Sequence, residues 1–302
     1  MAGWSGISVT SDVAPELAAI SPCPIEYTSV GKGGVVLAIH GSPGGWDQAV
    51  VSVGPLIEKG FRLVAPSRPG YLGTSLDAGR TPAEQADLLA RLLDVLHIPR
   101  AVLVATSGGG PIGVEFALRH PRRTSGLAML SAVSHRYALP GSAISRRIFM
   151  SDFLGWTARS LFRLSPRVAA RSLLRQMSTL RGPAFRRLVD EITSDRESIA
   201  LLGNLVGTMH SLRRRRAGMN NDVEQISRLR DLPLANIGCP VLIVHGRADA
   251  NVPFDHAEAL QRSLPSAELL AFDGGSHLLM LEPNARSAND RLIAFLSRCL
   301  EV

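Results

Sequence analysis

The amino-acid sequence predicts an α/β fold, with a mostly parallel sheet, helices on both faces and an inserted helical cap. Short apolar runs rich in β-branched residues alternate with longer segments of helical spacing, which is typical of parallel βαβ units. The alternation stops after Ser134 and resumes near Ile237, and helical patterns fill the interval. We therefore predict a core formed by residues 1–135 and 231–302 and a helical cap, or lid, formed by residues 136–230.

Six apolar runs have the length and composition of strands. They are residues 35–40, 61–65, 101–106, 126–131, 241–245 and 267–272.

Capping residues predict where the helices begin. Thr81 followed by Pro82 is typical of an N-cap and a first-turn proline, and a leucine stripe follows them. Ser165 and Pro166 repeat this pattern within the cap, and Ser-Asp-Arg-Glu at 194–197 is a capping box. These signals place helices in both predicted parts of the chain.

The helix that follows this capping box is predicted to continue into four arginines, residues 213–216, and to stop at Gly218. Cations at a helix C-terminus are favourable to the helix dipole, so the run has a structural explanation. Nucleic-acid binding is the alternative explanation, and we favour the structural one.

Charge is distributed unevenly along the chain. The net charge is +7, whereas residues 136–230 alone hold 18 arginines against 7 acidic residues and so carry +11. Such a region is typical of a nucleic-acid contact, of a membrane contact or of a solvated face. Because Lys32 and Lys59 are the chain's lysines and few aromatic residues accompany the arginines, we expect no nucleic-acid partner.

The cysteines and the N-terminus indicate the compartment. Cys23, Cys239 and Cys299 are far apart and form no CxxC pair, so neither a disulfide framework nor a zinc site is expected. Residues 1–20 lack the pattern of a signal peptide, and no apolar stretch reaches about 18 residues. We expect a cytoplasmic location and no integral membrane segment. The pattern does not specify an oligomeric state.

The apolar run at 101–106 ends in Ser107, which small residues surround. Ala105 and Gly109 leave room for a sharp turn from strand to helix, which holds a serine hydroxyl at the carboxyl edge of the sheet. Alanine replaces the first glycine of the usual G-x-S-x-G pattern. A phosphate-binding turn is the alternative, but the G-x-G-x-x-G spacing and the P-loop lysine are absent from the motif. The sequence therefore predicts Ser107 as a nucleophile.

A glycine-rich turn follows the first of the predicted strands, with the sequence His-Gly-Ser-Pro-Gly-Gly at 40–45. It can present the N–H of Ser42 toward the serine, where the N–H of Gly108 would be the second donor of an oxyanion hole. We expect His40 to be a hydrogen-bonded framework residue beside the substrate pocket.

Two further polar residues follow strands near the end of the chain. Asp249 comes after the strand at 241–245, and His277 comes after the next one. Because parallel strands bring their carboxyl ends to one edge, Ser107, Asp249 and His277 are predicted to meet as nucleophile, acid and base. Each of the two could instead be an ordinary loop residue. The competing candidates, which lack this strand-end placement, are His245, His256, Asp222 and Asp273. Replacement of Asp222 or of Asp273 by asparagine is expected to be tolerated.

These motifs resemble those of the α/β-hydrolase superfamily, in its capped form with one catalytic domain. The resemblance covers residues 25–135 and 236–300, and it includes Arg-Pro-Gly-Tyr at 68–71 and Gly-Gly-Ser-His at 274–277. It implies a hydrolase. Members of the superfamily include esterases, lipases, lactonases, aminopeptidases, C–C hydrolases, dehalogenases and epoxide hydrolases, and the last two use aspartate where this chain has Ser107.

We expect a serine esterase that cleaves a small-molecule carboxylic ester through an acyl-enzyme, without a metal or organic cofactor. A proline-iminopeptidase-like aminopeptidase is one alternative, because the turn at 40–44 resembles the HGGPG turn of those enzymes. The positive cap should repel its cationic substrate, although Glu191, Glu197 and Glu224 are available to bind an amine. A ligand-binding protein without catalytic activity is the second alternative.

Aromatic residues at the start of the cap predict a wall of the substrate pocket. Phe149, Phe153 and Trp156, together with Leu154, follow the strand at 126–131 and are expected to cover the serine as an apolar roof. The alternative is that they attach the cap to the core.

Overall fold

The computed structural model describes residues 13–138, 143–264, 266–283 and 286–300. Parts of the predicted domains lie outside the described residues, namely 1–12, 265, 284–285 and 301–302 of the core and 139–142 of the cap.

An eight-stranded sheet forms the centre of the molecule, in the order β1-β2-β4-β3-β5-β6-β7-β8. The strands from β3 to β8 run parallel, and β1 and β2 are antiparallel additions at one edge. The strands are β1 Glu16–Ala18, β2 Ile25–Val30, β3 Gly34–Ile39, β4 Phe61–Pro66, β5 Ala101–Thr106, β6 Thr124–Leu130, β7 Val241–Gly246 and β8 Glu268–Phe272.

The α-helices of the described residues begin after β3 and lie between and after the later strands. They are α1 Trp46–Val53, α2 Pro82–Val95, α3 Gly110–Arg119, α4 Ala143–Phe149, α5 Asp152–Leu164, α6 Pro166–Met177, α7 Gly182–Ser194, α8 Arg196–Gly207, α9 Arg216–Ser227, α10 Asp255–Ser263 and α11 Arg286–Leu300.

Helices cover both faces of the sheet because alternate strand residues point to opposite sides. Leu37 and Ile39 of β3 belong to the apolar cluster on the side of α2, α3 and α10. Val36 and Ala38 belong to the cluster on the side of α1 and α11. The predicted fold class is therefore confirmed, and the six predicted strands are present with ends shifted by at most two residues.

The helices α4 to α9, which we call the cap helices, occupy the interval between β6 and β7. They have an apolar cluster of their own, to which Leu174, Phe185 and Leu202 contribute, and Leu281 of the core packs against it. The fold thus contains a helical insertion where the alternation of strands and helices was interrupted in the sequence. The limits 136 and 230 of a separate cap domain remain a prediction.

The predicted helix through the four arginines is wrong. Helix α8 ends at Gly207, a 3-10 segment with a kink at Ser211 follows, and α9 continues through Gly218. The kink turns Arg215 inward, where its guanidinium binds the buried carboxylate of Asp47 at 2.6 Å. A solvated helix end therefore does not describe this run. The capping prediction was also one residue off, since the N-cap of α8 is Asp195.

Gly218 allows the cap helices to approach the core closely. A Cβ atom at this position would lie 2.2 Å from the ring of Tyr71, so only glycine fits. Its N–H also donates to the carbonyl of Gly70 at 2.8 Å. Helix α9 is thereby fixed against the loop that follows β4.

No helix among the described residues is both long and apolar enough to cross a membrane.

Candidate active site

Ser107 lies at the turn between β5 and α3 in a strained backbone conformation, with φ +50°. Small neighbours make this turn fit the sheet. A Cβ atom on Gly109 would lie 2.7 Å from the carbonyl oxygens of Ile39 and His40, and one on Gly41 would lie 2.8 Å from the Ser107 Cβ. The turn therefore needs glycine at position 109 and at position 41 of the segment that faces it, and it holds the hydroxyl at the carboxyl edge of the sheet.

The structure brings Ser107, His277 and Asp249 together. The Ser107 Oγ lies 3.1 Å from His277 Nε2, and His277 Nδ1 lies 2.7 Å from Asp249 Oδ2. Both distances are within hydrogen-bond range. Asp249 is buried and the His277 side chain is 12% exposed, so water competes little with either bond.

Asp249 remains ionised despite its burial. Burial alone would raise the pKa of its carboxyl, but the His277 charge, hydrogen bonds from His245 and His277, and the Val252 N–H hold this pKa well below its usual range. Asp249 Oδ1 also accepts the Asn251 and Val252 N–H groups at 2.8 and 2.9 Å. The carboxylate is therefore fixed in orientation and available to His277 over the whole neutral range.

Glu282 and the end of α6 hold the loop of His277. The carboxylate of Glu282 accepts the Ser276 N–H at 2.9 Å and the Ser276 hydroxyl at 2.5 Å, and burial raises the pKa of Glu282. The Met177 carbonyl accepts the N–H of His277 at 2.9 Å. The imidazole is thus positioned by contacts from both the core and the cap helices, and sequence reasoning identified none of these partners.

The turn at 40–45 lies directly against the serine turn, as the oxyanion-hole prediction requires. A Cβ atom on Gly108 would lie 2.4 Å from the Ser42 Oγ, so the two predicted N–H donors belong to touching segments. Their assignment as an oxyanion hole remains a prediction.

His40 is a buried framework residue and also contributes to the cavity wall. Its Nε2 accepts the Arg68 N–H at 2.9 Å, and its Nδ1 donates to the Gly41 carbonyl at 2.7 Å. Burial, with the Arg68 charge next in effect, holds the pKa of His40 well below its usual value. A neutral ring with both nitrogens engaged cannot act as the base, and it fixes the start of the turn.

Asp222 contacts this turn, whereas the carboxylate bound to His277 is that of Asp249. Asp222 is therefore not placed to act as the acid. Its carboxylate binds the fully buried guanidinium of Arg68 through two bonds of 2.9 and 2.6 Å. It also accepts the hydroxyls of Ser42 and, at 2.5 Å, of Tyr71. Burial, with the Asp222 charge next, raises the Tyr71 pKa well above its usual value. The structure argues against the expectation that replacement of Asp222 is tolerated, because the replacement would leave the Arg68 charge unpaired.

Arg215 supports the same turn from the cap. Its guanidinium donates to the Gly44 carbonyl at 2.7 Å while it pairs with Asp47. Its side chain is fully buried. Two buried ion pairs therefore connect the cap helices to the segment that faces Ser107.

Two further competitors have other roles, since His245 lies next to Asp249, with its Nε2 3.5 Å from Asp249 Oδ2, and Asp273 lies on the surface. His245 donates from Nε2 to the Val252 carbonyl at 2.8 Å beneath the Asp249 turn. Asp273 is 95% exposed at its side chain and pairs with Arg247.

A cavity of about 170 Å³ opens beside Ser107 and His277. Phe149 contributes to its wall, as predicted. Most of the lining is aliphatic or thioether, and none of its residues is Asp, Glu, Lys or Arg among the described part of the chain. Phe153 and Trp156 do not reach it: they are 72% and 56% exposed on the outer side of α5, so the predicted roof is wrong for these two.

One group of potential metal ligands occurs within the described ranges, formed by His135, Asp255 and His256. The two rings are stacked with centroids 3.8 Å apart, and His256 Nδ1 accepts the Ser134 N–H at 3.1 Å. This bond places the His256 proton on Nε2, so the ring has no free lone pair to offer. Two partly exposed ligands remain, and we assign no metal to them.

Comparison with known proteins identifies the family. A sequence model described as "Alpha/beta hydrolase family" matches residues 35–290. The "Uncharacterized hydrolase YcgS" of Bacillus subtilis (strain 168) is 30% identical over 280 residues, which cover 90% of this chain and 94% of that protein. A 2-hydroxy-6-oxo-6-phenylhexa-2,4-dienoate hydrolase of Burkholderia cepacia is 24% identical over 286 residues, which cover 90% and 91%.

Solved structures with a similar fold agree with this family assignment. The "Alpha/beta hydrolase fold protein from Nakamurella multipartita" has a TM-score of 0.86 and 31% identity, and the match covers 94% of this chain and 99% of that one. A thermophilic esterase from Thermogutta terrifontis has a TM-score of 0.64 at 20% identity, with 96% and 100% covered, and is similar in fold alone.

Exchange of Asp222 is expected to destabilise the fold. Asp222→Asn leaves the Arg68 charge buried without a partner, which costs about 3–5 kcal/mol of the free energy of unfolding. The matched control is Asp273→Asn, an exposed aspartate paired with an arginine, which should unfold like wild type. Urea denaturation measures both. Equal stability of the two variants would contradict the role assigned to the Arg68 pair.

His256 is expected to make the stability depend on pH. Burial, with the His135 charge next, lowers its pKa to about 4, against about 6.5 in the unfolded chain. Between these values only the unfolded chain binds the proton, so stability falls as the pH falls from about 6.5 to about 4, by about 3 kcal/mol.

Denaturation at pH 7 and at pH 4.5 tests this. His256→Gln, which keeps an acceptor for Ser134, should lose the part of the pH difference that His256 causes and keep the part due to buried His40. The exposed His210→Gln should retain the whole difference. An unchanged pH difference in His256→Gln would show that other groups cause it. The groups that face the ring are Ser134, His135, Tyr137, His245, Asp249 and Asp255.

Proposed function

The chain belongs to the alpha/beta hydrolase family, and we propose that it is a serine hydrolase that cleaves uncharged carboxylic esters through an acyl-enzyme. The observation that carries the proposal is the hydrogen-bonded chain from Ser107 through His277 to Asp249 beside an uncharged, apolar cavity. The combination supplies a nucleophile, a base and a binding site for an apolar group.

In the proposed reaction, His277 Nε2 accepts the Ser107 proton as the hydroxyl oxygen attacks the ester carbonyl. His277 then gives that proton to the departing alcohol as the C–O bond breaks, which leaves Ser107 acylated. In the second half of the reaction, His277 accepts a proton from a water molecule whose oxygen attacks the acyl carbon. His277 then returns the proton to Ser107, and the carboxylic acid is released. Asp249 accepts the Nδ1–H throughout, which fixes the tautomer and stabilises the transient positive charge.

The N–H groups of Ser42 and Gly108 would stabilise the oxyanion, each contributing about 10²- to 10³-fold to the rate. The ion pairs of Arg68 and Arg215 support this role, because they hold the turn that contains Ser42 in one position.

The cavity supports an uncharged substrate group. Transfer of a carboxylate from water into a site without a cation or sufficient donors is unfavourable by several kcal/mol. The size of the cavity is close to that of a 150 Å³ cavity that accepts benzene. A linear or cyclic group of roughly six to eight carbons is the best match.

Cleavage of a C–C bond is the second candidate, because curated relatives at 24% to 28% identity are named as hydrolases of 2-hydroxy-6-oxo-dienoates. The same serine, base and oxyanion donors could serve such a reaction. Their substrates are carboxylates by name, and the uncharged cavity lining favours the ester.

The aminopeptidase alternative receives no support from the cavity, where the lining described includes no carboxylate to bind a cationic amine. Glu191 and Glu197 are exposed, and Glu224 pairs with Arg228 on the surface.

Loss of the nucleophile or of the acid is expected to abolish ester cleavage. Ser107→Ala and Asp249→Asn should lower kcat for p-nitrophenyl hexanoate by about 10⁴-fold. Ser52→Ala, which removes another hydroxyl of the cavity wall, is the control and should stay close to wild type. High activity in Ser107→Ala would place the nucleophile elsewhere. A wild-type protein inactive on all esters would favour the ligand-binding alternative.

The cavity is expected to select chain length and charge. Across p-nitrophenyl esters from C2 to C12, kcat/KM should rise about fourfold per added CH₂ until the cavity is full, near C6 to C8, and then fall. The mono-p-nitrophenyl ester of adipic acid, with a carboxylate at its end, should react about 100-fold more slowly than the hexanoate.

Two phenylalanines provide a matched pair of variants for this test. Phe149→Ala enlarges the cavity and should move the optimum to longer chains, whereas Phe153→Ala, on the outer surface, should leave it unchanged. Faster cleavage of a 2-hydroxy-6-oxo-dienoate than of every ester would instead support the C–C hydrolase, and turnover of proline p-nitroanilide would support the aminopeptidase.

A further inference from the structure

Exposed apolar side chains are concentrated on one part of the cap helices. Nine large apolar residues are exposed among those described, and seven of them lie between residues 144 and 168. They are Ile144 and Ile148 on α4, Phe153, Trp156, Leu161 and Leu164 on α5, and Val168 on α6. We call these seven residues the apolar patch. Monomeric proteins rarely leave clustered apolar side chains of this size exposed without a partner.

Helical spacing places members of the patch on common faces. Ile144 and Ile148 are four residues apart, and Phe153, Trp156 and Leu164 are separated by three and eight. The rings of Phe153 and Trp156 stack with centroids 6.1 Å apart. The outer side of α5 is therefore an aromatic and aliphatic stripe, 85% exposed at Leu164.

Arginines greatly outnumber acids in the sequence that contains the patch. Residues 143–177 contain seven arginines and one acid, Asp152. The carboxylate of Asp152 accepts the Arg213 N–H at 3.0 Å, so it belongs to the cap's internal bonding. Asp190 of α7 pairs with Arg167, so seven arginines stand against two acids and the charge around the patch remains positive.

We propose that the apolar patch and its arginines form a docking surface for an anionic lipid bilayer, on which the protein lies without crossing it. Aromatic and aliphatic side chains flanked by arginines are the composition of interfacial helices. The aromatic rings enter the headgroup region, and each arginine near an anionic surface contributes about 1 kcal/mol. This inference is independent of the reaction proposed above.

Charge decides between the bilayer and a second copy of the chain as the occupant. Two copies that met through this patch would bring two positive surfaces together, which is unfavourable. An anionic bilayer is complementary to the same surface in both its apolar and its charged parts.

The docking surface and the cavity share two helices. Phe149 of α4 and Leu173 and Met177 of α6 contribute to the cavity wall, whereas Ile148 and Val168 of the same helices belong to the patch. A protein docked in this way holds the cavity next to the lipid, from which an apolar molecule can enter.

Co-sedimentation with vesicles tests the proposal on the full chain. Vesicles of phosphatidylcholine with phosphatidylglycerol should bind the protein at low salt and release most of it at high salt, and pure phosphatidylcholine should bind about tenfold less. Trp156→Glu should weaken binding about tenfold or more. The control is Leu17→Glu, which makes the same change at an exposed apolar residue of β1 and should bind like wild type.

A fluorescence measurement places the contact at Trp156. Brominated phosphatidylcholine in the anionic vesicles should quench the wild-type tryptophan emission, and Trp156→Phe should bind but lose that quenching. Thermal melting confirms that each variant is folded.

Three outcomes would overturn the proposal. One is an absence of vesicle binding. Another is a loss of binding in Leu17→Glu as large as in Trp156→Glu. The third is a wild-type dimer in sedimentation that Trp156→Glu dissociates, without vesicle binding, since a second copy would then cover the patch.

Discussion

A buried ion pair between Arg68 and Asp222 fixes the segment that faces Ser107. Arg68 follows β4 and Asp222 belongs to α9, so the pair joins the sheet to the cap helices. The same guanidinium donates to the His40 carbonyl at 3.0 Å, and the same carboxylate accepts the Ser42 hydroxyl. Because either charge would be costly to bury alone, the turn and α9 can only move together. The geometry at the serine therefore depends on folded cap helices.

Local patterns were sufficient to predict the parallel strands and the close approach of Ser107, Asp249 and His277, which are distant in the sequence. Runs such as 101–106 are apolar at every position until the last residues, and a parallel sheet brings all their carboxyl ends to one edge. The antiparallel β2 was not predicted because Glu26 and Thr28 interrupt its apolar pattern. Both are buried, and Glu26 is satisfied by Ser67 across the fold, at 2.7 Å. A partner 41 residues away leaves no signal in the local sequence.

Interaction partners that are distant in the sequence also explain the wrong predictions for Arg215, Phe153 and Trp156. A buried arginine cannot be distinguished by pattern from a solvated one in a chain with 33 Lys and Arg residues. Arg215 was therefore expected at a solvated helix end. Phe153 and Trp156 were expected to cover the serine because they belong to the first helical stretch after the strand at 126–131. The packing of the cap helices determines which side of α5 faces the cavity. It depends on tertiary contacts such as that of Gly155 with the Met209 carbonyl, which the local sequence does not reveal.

The cap helices have two apolar sides with different electrostatic surroundings. The inner side contributes Leu173, Met177 and Leu205 to a cavity whose described lining holds no charged group, whereas the sequence that contains the apolar patch of the outer side is rich in arginine. The exposed arginines of this region are thus kept away from the cavity, and the buried charge of Arg215 beside the turn at 40–45 is neutralised by Asp47. The same short helices therefore have an inner surface suited to neutral groups and an outer surface suited to anionic ones. This is possible because a helix of 3.6 residues per turn places different residues of one sequence on opposite faces.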